Sequence, residues 1–204
     1  MFPLASRERQ FLLGVARRAL TAAVHGQDAL RGLQADMQWP TPGGAFVSLH
    51  RRARLRGCVG QIGSKQPLVY VVAYCARAAA LEDPRFDPVG PDEVPEIEIE
   101  LSILSPLAEI RPDEIEVGRH GLVVSRGVQR GVLLPQVATQ FRWTAVHFLE
   151  QTCMKAGFER DAWSLPGTRL EAFTAEVFAE AEFQGVSGDE SSTTHADPDY
   201  SNST

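Results

Sequence analysis

The stretch that most restricts how this chain can fold is Glu96–Leu104, where polar and apolar residues alternate without a break. Ile97, Ile99, Leu101 and Ile103 fall in one row, and Glu96, Glu98, Glu100 and Ser102 fall in the other. A period of two is the period of a strand, so this segment reads as one buried face backed by a polar one. Three glutamates on one strand face repel each other unless something offsets them. Upstream, Arg51-Arg52-Ala53-Arg54-Leu55-Arg56 has the same period. If that run is extended, Arg52, Arg54, Arg56 and Cys58 share one side. The expectation is therefore that the arginine and glutamate segments lie near each other in a single sheet.

Helical patterns surround this strand. Residues Arg7 to Val24 carry Phe11, Leu12, Val15, Ala16, Ala19 and Leu20 at helical spacing, with Ser6 as the expected cap and Gly26 after the end. Pro67 opens a second helix running to about Leu81, which Asp83-Pro84 stops, because a residue before proline is pushed out of the helical region. A third is expected from Thr144 to Ala156, with Gly157 in the left-handed cap position. Ala45 to Leu49 reads as a short strand, Gly121–Ser125 and Val128–Leu134 as a hairpin about Arg126-Gly127, and Arg169 to Glu182 as extended. Trp39-Pro40-Thr41-Pro42-Gly43-Gly44 is a stiff connector, and residues 185–204 are expected to form a disordered polar tail outside a domain of residues 1–184.

The balance of composition excludes several classes. The formal charge is −6, yet Asp189, Glu190, Asp197 and Asp199 in the tail supply four of those charges. A nearly neutral body argues against nucleic-acid binding, which needs a broad positive footprint. No apolar stretch approaches the length of a membrane span, and charged residues stand where a secretory signal would be apolar, so a cytoplasmic location is expected. Three cysteines (Cys58, Cys75 and Cys153) are too few and too scattered for a disulfide scaffold. There is no nucleotide-binding glycine motif, no serine nucleophile elbow and no HExxH, so no cofactor is expected. His147 and Glu150 have the i, i+3 spacing of two metal ligands, but no second pair accompanies them, and no metal is expected.

Several motifs together carry a resemblance. They are Gly44-Ala45-Phe46-Val47-Ser48-Leu49, Leu55-Arg56-Gly57-Cys58-Val59-Gly60, Asp83-Pro84-Arg85-Phe86, Val117-Gly118-Arg119-His120-Gly121, Leu133-Leu134-Pro135-Gln136-Val137-Ala138 and Phe148-Leu149-Glu150 followed by Cys153-Met154-Lys155-Ala156-Gly157. In this order, over roughly residues 7 to 182, they resemble the AMMECR1 domain family. The stretch around Cys58 is that family's signature, usually with Ile at the place of Val59. The resemblance implies an α+β fold with an antiparallel sheet, a larger lobe holding both termini, a smaller lobe, and a cleft near the signature. It also implies partners, a Memo-like protein and a radical SAM protein. The sequence departs from the family at Gln140, where members often carry a carboxylate, and at Asp87, a polar residue after Phe86.

Two readings of Cys58 follow. Flanking glycines permit close approach of a ligand, and a cationic Arg56 on the same side would favour the thiolate. Cys58 is then a nucleophile, with Arg56 as its activating charge and His120 as base, acting on a small anionic substrate. Gly57, Gly60 and Arg85 are the expected ligand contacts. Free cysteine is equally a small apolar filler, and Cys75 and Cys153 fall on apolar helical stripes. Two functional classes result: a binding or accessory component working through the cleft, and a cysteine-dependent enzyme.

Overall fold

A computed structural model describes residues 3–32 and 43–183. Residues 39–42 of the expected connector and the whole expected tail lie outside these described residues.

Helix α1 spans Ser6–Val24 and packs against α2, Leu68–Leu81. Ser6 is the first helical residue; Ala5 occupies the cap, and its N–H donates to the Glu8 carboxylate at 2.7 Å, so the expected serine cap is replaced by a glutamate reaching back. The two helices cover one face of β1 (Gly44–Arg51), β2 (Arg54–Ile62) and β3 (Ile97–Leu104). Val47, Leu49, Ile97, Ile99, Leu101 and Ile103 point into this core, which also receives Phe178. Each such buried side chain contributes on the order of 2 kcal/mol.

Further along come the two-residue β4 (Ala108–Glu109), β5 (His120–Arg126), β6 (Gln129–Leu133), α3 (Pro135–Gln140), α4 (Ala145–Lys155) and β7 (Arg169–Ala179). The strands form one antiparallel, curled sheet in the order β2-β1-β3-β7-β5-β6, with β4 also on β7. β7 is shared: Ala175–Ala179 pair with β3, while Arg169–Thr174 pair with β5. Helix α4, with its N-cap Thr144 accepting from the His147 N–H at 3.3 Å, covers the outer face of the β5–β6 half through Phe148, Leu149 and Cys153. Inside the curl, Phe46 and Ile62 from one half meet Val123 and Phe173 from the other. The fold is α+β, with a larger half holding both ends of the described chain and a smaller one built on β5, β6, α3 and α4.

The arginine and glutamate segments do share the sheet, but β1 separates β2 from β3. Arg52 and Ala53, with φ of 51° and 60°, form the tight turn between β1 and β2 rather than an extended run. The glutamates that hold the arginines come from the turn just before β3. Glu93 binds Arg51 and Arg56, and Glu96 binds Arg51 and Arg52, at 2.8–3.0 Å.

Candidate functional site

The signature lies on β2, an edge strand, and its geometry starts with a bulge. Leu49 pairs with Gly57 but His50 pairs with Leu55, leaving Arg56 as the extra residue. The bulge breaks the two-residue period on which the shared side of Arg56 and Cys58 depended. Arg56 turns to Glu93 and to the carbonyls of Asp87 (2.8 Å) and Pro88 (3.3 Å). These bonds hold Glu93 down at about 2, the Arg56 bond first and the Gly90 N–H next.

Cys58 faces away from α1 and α2, because its neighbour Val59 packs into the helix-covered core. It is half-buried, and its Sγ accepts from the Ser48 hydroxyl at 3.3 Å, the residue directly across on β1. The outer edge of β2 at Cys58 is occupied by side chains in place of another strand. The Cys58 N–H donates to Asp83 Oδ2 at 2.8 Å, and its carbonyl accepts from Arg85 Nη2 at 3.2 Å. Asp83 and Arg85 are joined to each other by three further bonds, Nε to Oδ1 at 2.9 Å, Nη2 to Oδ2 at 2.7 Å and the Arg85 backbone N–H to Oδ1 at 3.1 Å. Asp83 is only 5% exposed, and the Arg85 guanidinium, helped by the Cys58 and Arg85 N–H groups, holds its carboxyl far below the usual carboxylate range. Asp83 in turn raises Arg85. The cation beside Cys58 is thus Arg85. Its Nη1 has no hydrogen-bond partner among the described residues, and its side chain is 55% exposed.

The two signature glycines are explained by packing. A Cβ on Gly57 would stand 2.1 Å from the Ala79 carbonyl at the end of α2, and one on Gly60 would enter the Phe46 ring at 2.1 Å. His120 starts β5, four strands from β2 in the sheet order; its Nδ1 accepts from the Glu116 N–H at 3.1 Å, and no hydrogen bond joins it to Cys58. His147 and Glu150 pair with each other at 3.3 Å on α4, and no group of three or more His, Cys, Asp or Glu among the described residues is arranged to hold a metal ion. Cys75 is fully buried, and burial pushes its thiol up to about 12; burial also raises Cys153. No helix among the described residues is long and apolar enough to cross a membrane.

Two residues of the site, and a third in the same row beyond it, escaped the reading of the sequence. Ser48 is an ordinary strand residue until the register places it against Cys58. Asp83 read as a helix stop and as part of the Asp83-Pro84-Arg85-Phe86 motif, without a role at the site, although it and Arg85 flank a rigid proline as a paired carboxylate and guanidinium. Glu100 is the third. Through the register Cys58–Ser48–Glu100 it lies in one row across three strands, roughly 10 Å from Cys58 at two interstrand spacings.

Known proteins place this architecture. The family model described as AMMECR1 matches residues 13–178. A protein of Methanothermobacter thermautotrophicus is 40% identical over 187 residues, covering 87% of this chain and 97% of its own length. One of Thermococcus kodakarensis is 38% identical over 195 residues, covering 88% and 94%. The crystal structure of the uncharacterized protein PH0010 from Pyrococcus horikoshii is similar with a TM-score of 0.75 at 35% identity, covering 88% of this chain and 94% of that one. With the signature strand, the curled antiparallel sheet and these relatives in agreement, this chain belongs to the AMMECR1 family.

Proposed function

We propose that this protein is a binding component whose site is the open face of the curled sheet at Cys58, where it holds a small anionic ligand or a carboxylate-bearing segment of a partner. The observation that carries this reading is the clamp on β2. The strand edge is fixed at Cys58 by a buried carboxylate and a half-exposed guanidinium, and that guanidinium keeps Nη1 available beside a half-buried sulfur. A rigid cation next to a polarizable group is what anion capture requires, since little ordering is needed on binding. Memo-like and radical SAM proteins, the partners implied by the family resemblance, are the proposed company of this component.

A second reading, a cysteine-dependent enzyme, is favoured by one observation: the Arg85 guanidinium donates to the Cys58 carbonyl at 3.2 Å, which sets a cation beside the residue that carries the thiol. Opposite charge favours thiolate, the nucleophilic form.

Peptide-resolved alkylation of the folded protein tests the site. Cys58 is expected to label well ahead of Cys75 and Cys153, and added phosphate is expected to slow it in the native protein but not in Arg85→Gln. Labelling of Cys58 as slow as Cys75 would remove the site altogether. A rate that stays high below pH 7 selects the nucleophile; a rate that falls with the ordinary thiol favours binding. Failure to copurify with Memo-like and radical SAM proteins from the same source would count against the partnership alone.

A further inference from the structure

The open sheet face continues past Ser48 beneath α3 and there leaves a cavity of about 530 Å³. Its floor is Glu100 on β3 with Ala175 and Val177 on β7, and its roof is Gln136, Thr139 and Gln140 on α3. The volume lies in the ordinary range for small-molecule sites.

Among the described residues, Glu100 is the one ionisable residue in that lining. Several other strand and turn carboxylates are held by arginines: Glu93 and Glu96 hold Arg51, Arg52 and Arg56, Glu176 holds Arg9, Glu180 holds Arg17 and Glu109 holds Arg169. The Glu100 side chain has no ion pair or hydrogen bond among the described residues, and neither has Glu98, its neighbour on the same strand face. Two half-buried like charges on one face of a strand repel, and a positive charge placed between the sheet and α3 would relieve that. The roof offers side-chain amides and a hydroxyl, which accept hydrogen bonds from an ammonium without adding charge. Ala175, Val177 and Pro135 suit a short hydrocarbon body.

We infer that this cavity is a second site, independent of the Cys58 reading, that binds a small organic cation: a primary ammonium on a short apolar chain, with Glu100 as its counter-ion. The ammonium donates to the Glu100 carboxylate and to the Gln136 and Gln140 side-chain carbonyls while the chain lies along Val177.

The test is titration of the full chain with n-butylammonium chloride, followed by amide chemical shifts, with n-butanol as the uncharged control. Saturable shifts are expected at Gly118, Thr139 and Val177 with the amine and not with the alcohol. Glu100→Gln, nearly isosteric, is expected to weaken binding by roughly tenfold or more, the loss expected for one charge-assisted contact. Val177→Trp, on an exposed strand position, fills the cavity and is expected to abolish binding while leaving the rest of the spectrum in place. Cys58→Ser is expected to bind the amine as the native protein does. Equal responses to amine and alcohol, no saturation, or undiminished binding by Glu100→Gln or Val177→Trp would overturn the assignment. Loss of binding in Cys58→Ser would overturn its independence.

Discussion

The two edges of the sheet, β2 and β6, are built alike and finished differently. Each carries a glycine pressed by the end of a helix. A Cβ on Gly57 meets the Ala79 carbonyl of α2 at 2.1 Å, and one on Gly131 meets the Ala156 N–H nitrogen and Thr152 carbonyl of α4 at 2.5 Å. Each half also lays a phenylalanine ring over a glycine across the strand, Phe46 over Gly60 and Phe173 over Gly121. What β2 has in addition is the bulge at Arg56, the Asp83–Arg85 clamp and the half-buried sulfur. The glycines are therefore a requirement of docking a helix on a sheet edge, wherever it occurs. The clamp is a feature of one edge alone, and candidate function belongs with it.

Paired substitutions can break this parallel. Gly57→Ala forces α2 off the sheet and is expected to cost about 3 kcal/mol, with Gly131→Ala costing about 2 kcal/mol, both read from urea unfolding. A mild effect at either glycine would show that the close approach is dispensable there.

Asp83→Asn sharpens the contrast, since it touches β2 only. It removes the charge that holds Arg85 and weakens the acceptor for the Cys58 N–H, with an expected loss of about 2 kcal/mol at neutral pH. Asp83 and Glu93 both have native carboxyls held below their ordinary values, Glu93 at about 2. Their contribution is complete above the unfolded-state values of about 4 and is lost as pH falls toward the native ones. Urea midpoints of the native protein should therefore fall between about pH 5 and pH 2. Those of Asp83→Asn should fall less, so that the two curves converge; parallel curves would show that the clamp is not the source.

The smallest effect is expected at the β1–β2 turn. Ala53 sits at φ 60°, where a side chain is strained and glycine is not. Ala53→Gly should stabilise by about 1 kcal/mol, or leave stability unchanged if the added freedom of the unfolded chain offsets the relief.

The fold was legible because burial leaves a period. β3, α1, α2, α4 and the β5–β6 hairpin all announce themselves by the spacing of apolar residues. The site was legible only in part. Cys58 and Arg85 sit in recognisable motifs, but their relation does not, because it depends on one inserted residue. The bulge moves Arg56 to Glu93 and leaves Arg85, from a loop beyond the next helix, to meet the Cys58 carbonyl. Nothing in Arg54-Leu55-Arg56-Gly57 marks that insertion. Helix α3 is too short, at Pro135–Gln140, to leave a periodic trace, so the roof over Glu100 was invisible as well.

β7 joins the two halves, and this has a bearing on synthesis at the ribosome. Until Arg169–Ala179 have emerged, β3 and β5 each lack a neighbour and β4 has none, although β1, β2 and β6 are already paired. The hydrogen-bonding flank of Ile97–Leu104, the most apolar strand in the molecule, must wait more than sixty residues for its mate, a long-range closure of the kind that slows folding and exposes nascent chains to one another. A chain stalled before that point would present two unfinished half-sheets, and it is there that a chaperone would find its grip.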